Sequence, residues 1–500
     1  MQAAVGELLE ATARRFGTKC ALVTPDRTLT FAELDRLATR FAAGVAAHGI
    51  RVGDRVTLWL ENGWQWVVAY YGILRAGAVV HPANSLLTPS EVSFMMRDCG
   101  ARLLVSRAAK TRVDTHRQLR IIGGDDDASV AGPSFDDLLD AGGTALHGWR
   151  APPLEGSDLC AIFYTSGTTG YPKGAALRHQ SLLMNVAMTA LMHGLHATDT
   201  VVTALPCAHV YGNVALNSAI ACGMTLVLLP RLEELAILEA VERHRATILQ
   251  GVPAMYLALL NIADLERFDV RSLRLCTVGG QGMAVNRMQE VERRLRCPLI
   301  ELWGMTEIAG LGATHPHNGP HNLGSIGIAL PFTQIRIVDP ADVRRDVPAG
   351  DAGEILVRGP HVMQGYFNRP KDTSDAIEPD GWLHSGDLAR QDKIGYLYII
   401  DRIKDVILSG GYTIYPAEIE RVISEHPSVS AALVVPVSDE LRGEIGKALV
   451  VLRPGATCAA EDVVRHCRER LAVYKIPRSI EFVSALPTGS TGKVLRRAVT

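Results

Sequence analysis

Apolar positions in this chain recur with helical spacing in some stretches and in short strand-like runs in others. Thr30-Phe31-Ala32-Glu33 sets a hydroxyl residue three positions before a glutamate, a capping box that predicts a helix running through Ala47. Arg55 to Leu60 then reads as a strand, Trp64 to Ala76 as a helix and Ala78 to Val80 as the next strand. The same alternation returns later: Leu273 to Val278 is strand-like, Ala284 to Arg296 helical and Pro298 to Trp303 strand-like again. Repeated βαβ units imply parallel sheets covered by helices. From Val201 to Pro230 there is no Asp, Glu, Lys or Arg, long enough to raise a membrane span. Pro206, His209, Asn213, Asn217 and Gly223 interrupt it, and a buried strand, helix, strand order explains it better.

The pattern changes near residue 400. Tyr396 to Ile400 reads as a strand and leads into the charged Asp401-Arg402-Ile403-Lys404-Asp405. Beyond it lie a helix over Pro416 to Glu425, a strand over Ala431 to Val437 and a helix over Ala460 to Leu471. The expected fold is α/β: a large N-terminal domain of layered parallel or mixed sheets with helices over 1–402, and a small mobile α+β C-terminal domain over 403–500. A length of 500 residues agrees with two or more domains.

Composition narrows the class. The chain is 47% hydrophobic and 21% charged, with a net charge of −2, so nothing suggests a nucleic-acid partner. Nine single cysteines without a C-x-x-C pair point to a reducing compartment, and the N-terminus shows no apolar signal segment; a cytoplasmic location is expected.

Against this background one loop stands out. Tyr164-Thr165-Ser166-Gly167-Thr168-Thr169-Gly170-Tyr171-Pro172-Lys173-Gly174 follows the apolar Cys160 to Phe163, and a helical stretch is expected from about His179. Glycine lets backbone N–H groups turn toward an anion, hydroxyls add rotatable donors, and Lys173 adds charge. Together they fit a triphosphate. A plain strand-to-helix turn would not need so many donors. The loop is not a Walker A motif, because Pro172 precedes Lys173 and Gly174 follows it.

YTSGTTGYPKG resembles the signature loop of the adenylate-forming enzymes: acyl- and aryl-CoA synthetases, luciferases and peptide-synthetase adenylation domains. The likeness continues in order through Gly279-Gly280-Gln281-Gly282, Trp303-Gly304-Met305-Thr306-Glu307, Trp382-Leu383-His384-Ser385-Gly386-Asp387, Asp401-Arg402-Ile403-Lys404-Asp405 and Pro487-Thr488-Gly489-Ser490-Thr491-Gly492-Lys493. It implies an acid–CoA ligase that makes an acyl-adenylate and then a thioester, with ATP and CoA as co-substrates and Mg2+ as cofactor. Thr165, Ser166, Gly167, Thr168, Thr169, Gly170 and Lys173 would hold phosphates. Gly280, Gln281, Gly282, Trp303 and Gly304 would border adenine. Thr306 would contact phosphate, and Asp387 and Arg402 the ribose side. Glu307 is the implied Mg2+ ligand and a catalytic residue, with Lys493 the adenylation lysine. On the residues alone, Glu307 also reads as a carboxylate at a helix N-terminus, Thr306 as that helix's cap, and Trp303 as a core aromatic.

The resemblance also implies rotation of the small domain between the two half-reactions, with Lys404 at the hinge and Ser409, Gly410 and Gly411 near CoA. Tyr412-Thr413 departs from the polar pair many members carry, and Leu408 stands where plant-type members often have lysine. His209, Tyr211 and Gly212 fall in the family's Pro-x-x-His-x-x-Gly segment, beside the acyl group, with His209 implied as a catalytic residue that gates or polarises the acyl carboxylate; on the residues alone a histidine in an apolar run also reads as a satisfied core residue. The absence of any acid from Val201 to Pro230 disfavours amino-acid substrates, whose ammonium would be buried unpaired. Gly310, Leu311 and Gly312 are small enough to leave room for a chain, and Asn213, Asn217 and Tyr211 either meet polar ring substituents or satisfy buried backbone. A medium- or long-chain fatty acid is expected ahead of an aryl acid. An acyl-AMP ligase loading a carrier-protein thiol is the rival activity. The implied partners are a carboxylic acid, ATP and CoA, with no nucleic acid and no transmembrane span; a homodimer is compatible with them.

Overall fold

The computed structural model describes residues 4–107, 119–122, 133–146, 148–165, 172–409, 412–439, 443–488, 494 and 496. The capping box at Thr30 forms as the sequence predicts: Glu33 N–H donates to Thr30 Oγ1, and Glu33 Oε2 accepts from Thr30 N–H at 2.8 Å, starting the helix Phe31–Ala47. The βαβ pattern folds into two large sheets. The nine-stranded one runs, edge to edge, from Ile328–Ala329 through Gly310–Thr314, Leu299–Met305, Leu275–Gly279, Ile248–Gly251, Thr200–Thr203, Thr225–Leu228 and Cys20–Val23 to Thr28–Thr30, and is parallel in its middle. The seven-stranded one holds Leu159–Thr165 and Val79–Pro82 at its centre.

The helices Trp64–Arg75 and Val210–Ala221 are buried on every side. A helix apolar all round must lie between layers, and the hydrogen bonds joining these two show where. Tyr70 Oη–H donates to Asn213 Oδ1 at 3.2 Å and Tyr71 Oη–H to Asn217 Oδ1 at 2.8 Å, linking them through the core. This explains the charge-free segment: Thr200–Thr203, Val210–Ala221 and Thr225–Leu228 are interior strand, helix and strand. Among the described residues no helix is long and apolar enough to cross a membrane.

A five-stranded antiparallel sheet follows, ending with Leu383–Gln391 and Leu397–Arg402. Past a 3-10 turn at Ile403–Asp405 the chain builds a further five-stranded sheet, smaller than the two large ones, around the long antiparallel pair Val429–Asp439 and Gly443–Leu452, with Ser479–Phe482 parallel to the latter and with Pro416–Ser424 and Ala460–Arg468 as its helices. Ile407, Ile419, Ile423, Val434, Val450 and Val463 form a core of their own there.

The helix expected from about His179 forms as His179–His193; before it Lys173–Arg178 is a strand antiparallel to Leu159–Thr165, so residues 166–171, which lie outside the described residues, join two strands. One local expectation changes. Thr306–Ile308 is a single 3-10 turn whose N-cap is Met305, so neither a helix cap at Thr306 nor a helix dipole at Glu307 applies.

The helices Phe31–Ala47 and Phe135–Ala145 meet backbone to backbone. A Cβ on Gly142 would lie 1.8 Å from Arg40 O, and one on Gly44 2.3 Å from Leu138 O. Gly142→Ala should therefore destabilise the protein by about 1–3 kcal/mol. Gly148→Ala, where a Cβ meets nothing within 4 Å, should be near neutral. Paired thermal melts check this, and equal melting temperatures would refute it.

Candidate active site

Both feet of the glycine-rich loop are pinned. Tyr164, its first residue, donates from Oη to Asp98 Oδ2 at 2.7 Å, and Asp98 Oδ1 is paired with Arg369 Nη2 at 3.0 Å. Thr165 Oγ1–H donates to Lys173 O at 3.4 Å across the strand pair. Lys173 Nζ pairs with the Asp372 carboxylate and lies 5.4 Å from the centre of the Tyr366 ring. Ser166, Gly167, Thr168, Thr169 and Gly170 lie outside the described residues.

The same tyrosine reaches the next motif. Tyr366 Oη–H donates to Glu307 Oε1 at 2.8 Å, and the strand Gly365–Tyr366 pairs with Lys173–Arg178. Lys173 and Glu307 are thereby brought to one place. Glu307 is buried, and burial raises its carboxyl above the usual range against the Tyr366 hydrogen bond. Thr306 beside it is buried too, and Ala309 closes the turn with φ +57°. A left-handed residue other than glycine is strained, and here it turns the chain straight back into Gly310–Thr314.

Trp303, Asp387 and Arg402 form the adjoining wall. Trp303 Nε1–H donates to Asp387 Oδ2 at 2.8 Å, and Arg402 Nε is 3.0 Å from Asp387 Oδ1. Asp387 and Arg402 are also cross-strand partners. Gly304 lets the two strands of this turn close, since its Cβ would lie 2.0 Å from Gly310 O. Gly280, with φ +90°, and Gly282 flank Gln281 at the end of Leu275–Gly279. Gln281 Oε1 accepts the Val494 N–H at 3.1 Å, so the tail residue after position 493 reaches this wall. Lys493, Gly410 and Gly411 lie outside the described residues. Ser409 is buried in the smaller sheet, paired with Tyr412, while Leu408 is exposed and its N–H donates to Glu444. Lys404 sits exposed in the turn Ile403–Asp405.

His209 N-caps the helix Val210–Ala221. Its Nδ1 accepts the Tyr211 N–H at 3.3 Å, so a neutral ring carries its proton on Nε2. Gly212 is needed for packing, because its Cβ would lie 2.2 Å from Pro206 O. Tyr211 shares a 2.7 Å hydrogen bond with Thr277 Oγ1. The expected room beside Leu311 is not there: a Cβ on Gly310 would strike Val214 and one on Gly312 the Trp303 ring, so these glycines serve close packing. Asn213 and Asn217 face Tyr70 and Tyr71, not an open pocket. Sequence reasoning missed Tyr366, Asp372, Asp98 and Arg369; Gly365-Tyr366-Phe367-Asn368-Arg369-Pro370 reads as a turn, with no signal of what it touches.

The glycine- and hydroxyl-rich sequence of residues 164–174, the buried Glu307 and the Trp303, Asp387 and Arg402 wall agree with the class of protein that the comparisons define. The AMP-binding enzyme family matches residues 9–367 and its C-terminal domain residues 418–493, and the chain belongs to this family. It is similar to a long-chain-fatty-acid–CoA ligase of Bacillus subtilis, 34% identical over 98% of this chain and 93% of that protein. It is also similar to a feruloyl-CoA synthase of an Amycolatopsis species, 36% identical over 94% and 93%. The solved o-succinylbenzoate CoA synthetase of Bacillus subtilis in complex with ATP and magnesium ion superposes with a TM-score of 0.84, at 30% identity over 98% of each chain. The protein is an AMP-forming acid–CoA ligase.

Tyr366→Phe keeps the ring near Lys173 but strips the donor from buried Glu307. The variant should lose about 1.5–3 kcal/mol of stability near neutral pH. Glu307 already has a raised folded pKa, so its ionised form is disfavoured in the fold and the cost is felt as pH rises. The loss in melting temperature should therefore shrink toward pH 4. A loss independent of pH would contradict this account.

Proposed function

We propose that the substrate is a medium- or long-chain aliphatic acid, joined to CoA through an acyl-adenylate. One observation carries the aliphatic choice. Met188, Met192, Leu205, Tyr211, Leu302 and Leu311 pack into an apolar cluster that runs from the His209 segment to the strand bearing Trp303. Of the nearby polar side chains that could meet ring substituents, Asn217 and the Asn213 carbonyl are engaged with Tyr70 and Tyr71 and the Tyr211 hydroxyl with Thr277, which leaves the buried Asn213 Nδ2 as the one donor without a partner among them. A hydroxylated or methoxylated ring buried there would leave its further oxygens unpaired.

In the first half-reaction a carboxylate oxygen attacks the α-phosphorus of ATP and pyrophosphate leaves. Both reactants are anions, so fixed donors and cations must offset their repulsion. Residues 165–170 and Lys173 hold the β- and γ-phosphates, Trp303 and Gly280 to Gly282 border adenine, and Asp387 with Arg402 holds the ribose. His209, protonated on Nε2, donates toward the acid carboxylate. Lys493 bridges that carboxylate and the α-phosphate. Glu307 and Thr306 offer oxygen donors suited to Mg2+. Among the described residues there is no cluster of three or more metal-binding side chains, so phosphate oxygens and water would complete the shell, as Mg2+ favours. When bound, Mg2+ neutralises phosphate charge. In the second half-reaction the CoA sulfur attacks the acyl carbon and AMP leaves. The domain of residues 403–500 pivots at Lys404 between the steps, bringing Ser409, Gly410 and Gly411 toward the pantetheine arm. The hydrogen bond from Val494 to Gln281 supports assigning the described arrangement to the first step.

A pyrophosphate-release screen should respond to aliphatic acids of eight or more carbons, about that length and upward, before aromatic ones, since each buried CH₂ adds roughly 0.8 kcal/mol. Preference for hydroxycinnamates would overturn the aliphatic reading. A phosphopantetheinylated carrier protein outcompeting CoA would overturn the acceptor. Lys493→Ala should lose about 10²–10³ in adenylate formation. It should still convert supplied acyl-adenylate to thioester, and equal loss in both steps would rule out the assigned role.

A further inference from the structure

Asp387 lies in the strand Leu383–Gln391 at an irregularity in its pairing with Gly353–Arg358, and this local turn of the strand is held from behind by a histidine between two carboxylates. His384 Nδ1 lies 3.1 Å from Glu354 Oε2 and its Nε2 3.0 Å from Glu378 Oε1. Glu354 is buried, and its other oxygen, Oε1, accepts the Gly386 N–H at 3.0 Å. Gly386 adopts φ +69°, and Asp387 N–H donates to Ser385 Oγ at 3.1 Å, which closes the turn on Asp387. A chain of contacts thus runs from His384 through Glu354 and Gly386 to Asp387, and on to Trp303 and Arg402.

We propose that His384, as an imidazolium donating to both Glu354 and Glu378, is a positioning residue that fixes the Gly386–Asp387 turn for ATP. A neutral ring can donate from only one nitrogen, and its lone pair would then face a carboxylate. If that carboxylate is Glu354, a buried anion loses its partner and the Gly386 anchor loosens. Glu354 belongs to the facing strand Gly353–Arg358 and Glu378 to the chain after the helix Pro370–Ala376. Other charges near this turn include Arg358, whose guanidinium carbon is 4.6 Å from the centre of the Trp382 ring, Arg336 at 5.4 Å from it, the pair Asp387 and Arg402, and Glu307 beside that pair. The hydrogen bonds to Glu354 and then Glu378 hold the imidazole protonated, moving its pKa up to about 9. The support is therefore complete at neutral pH and is lost as pH climbs through about 9.

This inference rests on the reading that Asp387 holds the ribose, and the test separates the two. KM for ATP and kcat are measured for the full-length protein from pH 7 to 10. The parent should show KM for ATP rising above about pH 9. His384→Gln should raise it about 10-fold at pH 7, with kcat little changed and the alkaline rise gone. Glu378→Gln, which leaves the Glu354 contact in place, should give a smaller rise and serves if His384→Gln fails to fold. A drop in melting temperature and kcat with KM for ATP unchanged would make His384 merely structural and overturn the proposal. If Asp387→Asn also leaves KM for ATP unchanged, the ribose reading itself fails; if only Asp387→Asn raises it, His384 alone is wrongly assigned.

Discussion

The buried Glu307 carboxylate sets the terms for everything around it. A carboxylate taken from water without a partner is costly, and under the proposed reading a triphosphate and a second carboxylate would come to the same place. The Tyr366 phenol meets one oxygen, and the Tyr366 ring carries Lys173 on its face. Lys173 in turn is neutralised by Asp372. The cation and the anion are thus held in separate pairs, Lys173 with Asp372 and Glu307 with Tyr366, which phosphates would exchange under the proposed reading. Tyr366 can do this because it lies on an edge strand beside Lys173–Arg178 and faces the turn Thr306–Ile308.

A second, half-buried ionic group holds Arg496 of the tail. Arg496 pairs with Glu420 at 2.5 Å and approaches Asp405 at 3.5 Å, while Glu420 also accepts the Val434 N–H at 2.7 Å. Asp405 closes the same turn that carries Lys404, and Asp401 just before it accepts the Ala417 N–H at 2.8 Å. Arg496 and the turn between the sheets are therefore joined by charge. Asn286 to Ser424 at 3.2 Å and Gln281 to Val494 at 3.1 Å add bonds across the larger and smaller sheets' neighbouring elements.

Much of this was readable in the chain, and what was not has a common cause. The capping box at Thr30, the alternation from Arg55 to Val80 and the interior nature of Val201 to Pro230 are local patterns, set by residues a few positions apart. The ordered motifs placed Trp303, Asp387 and Arg402 among the candidates, and the sheets bring these three together. Tyr366 and Glu307 are 59 residues apart, and Lys173 and Asp372 are 199 apart; neither pair shares a period or a motif. The strand Lys173–Arg178 was hidden because Lys173-Gly174-Ala175-Ala176 lacks β-branched residues, and register with Leu159–Thr165 forms it. Gly310 and Gly312 look like open space in a sequence, yet in the fold a missing side chain lets Val214 and Trp303 move in.

That last reversal bears on the aliphatic substrate proposed above. With Gly310 and Gly312 spent on contact, room for such a chain beside Tyr211 would come from side chains that can move. The apolar cluster beside Tyr211 contains Met188 and Met192, with Met184 packed against it, all from the helix His179–His193. Methionine is unbranched and has three rotatable bonds, so it refills or vacates a gap at little cost. A rigid leucine wall would fix one length sharply, whereas methionines on one helix face favour a range of lengths. The backbone side of the cluster does not yield in the same way, because Asn185 between them holds Ile308 O at 3.0 Å and Leu311 O at 2.7 Å. Those two bonds tie the methionine helix to the Glu307 turn, so an acyl chain that displaced the helix rather than its side chains would also disturb the buried carboxylate.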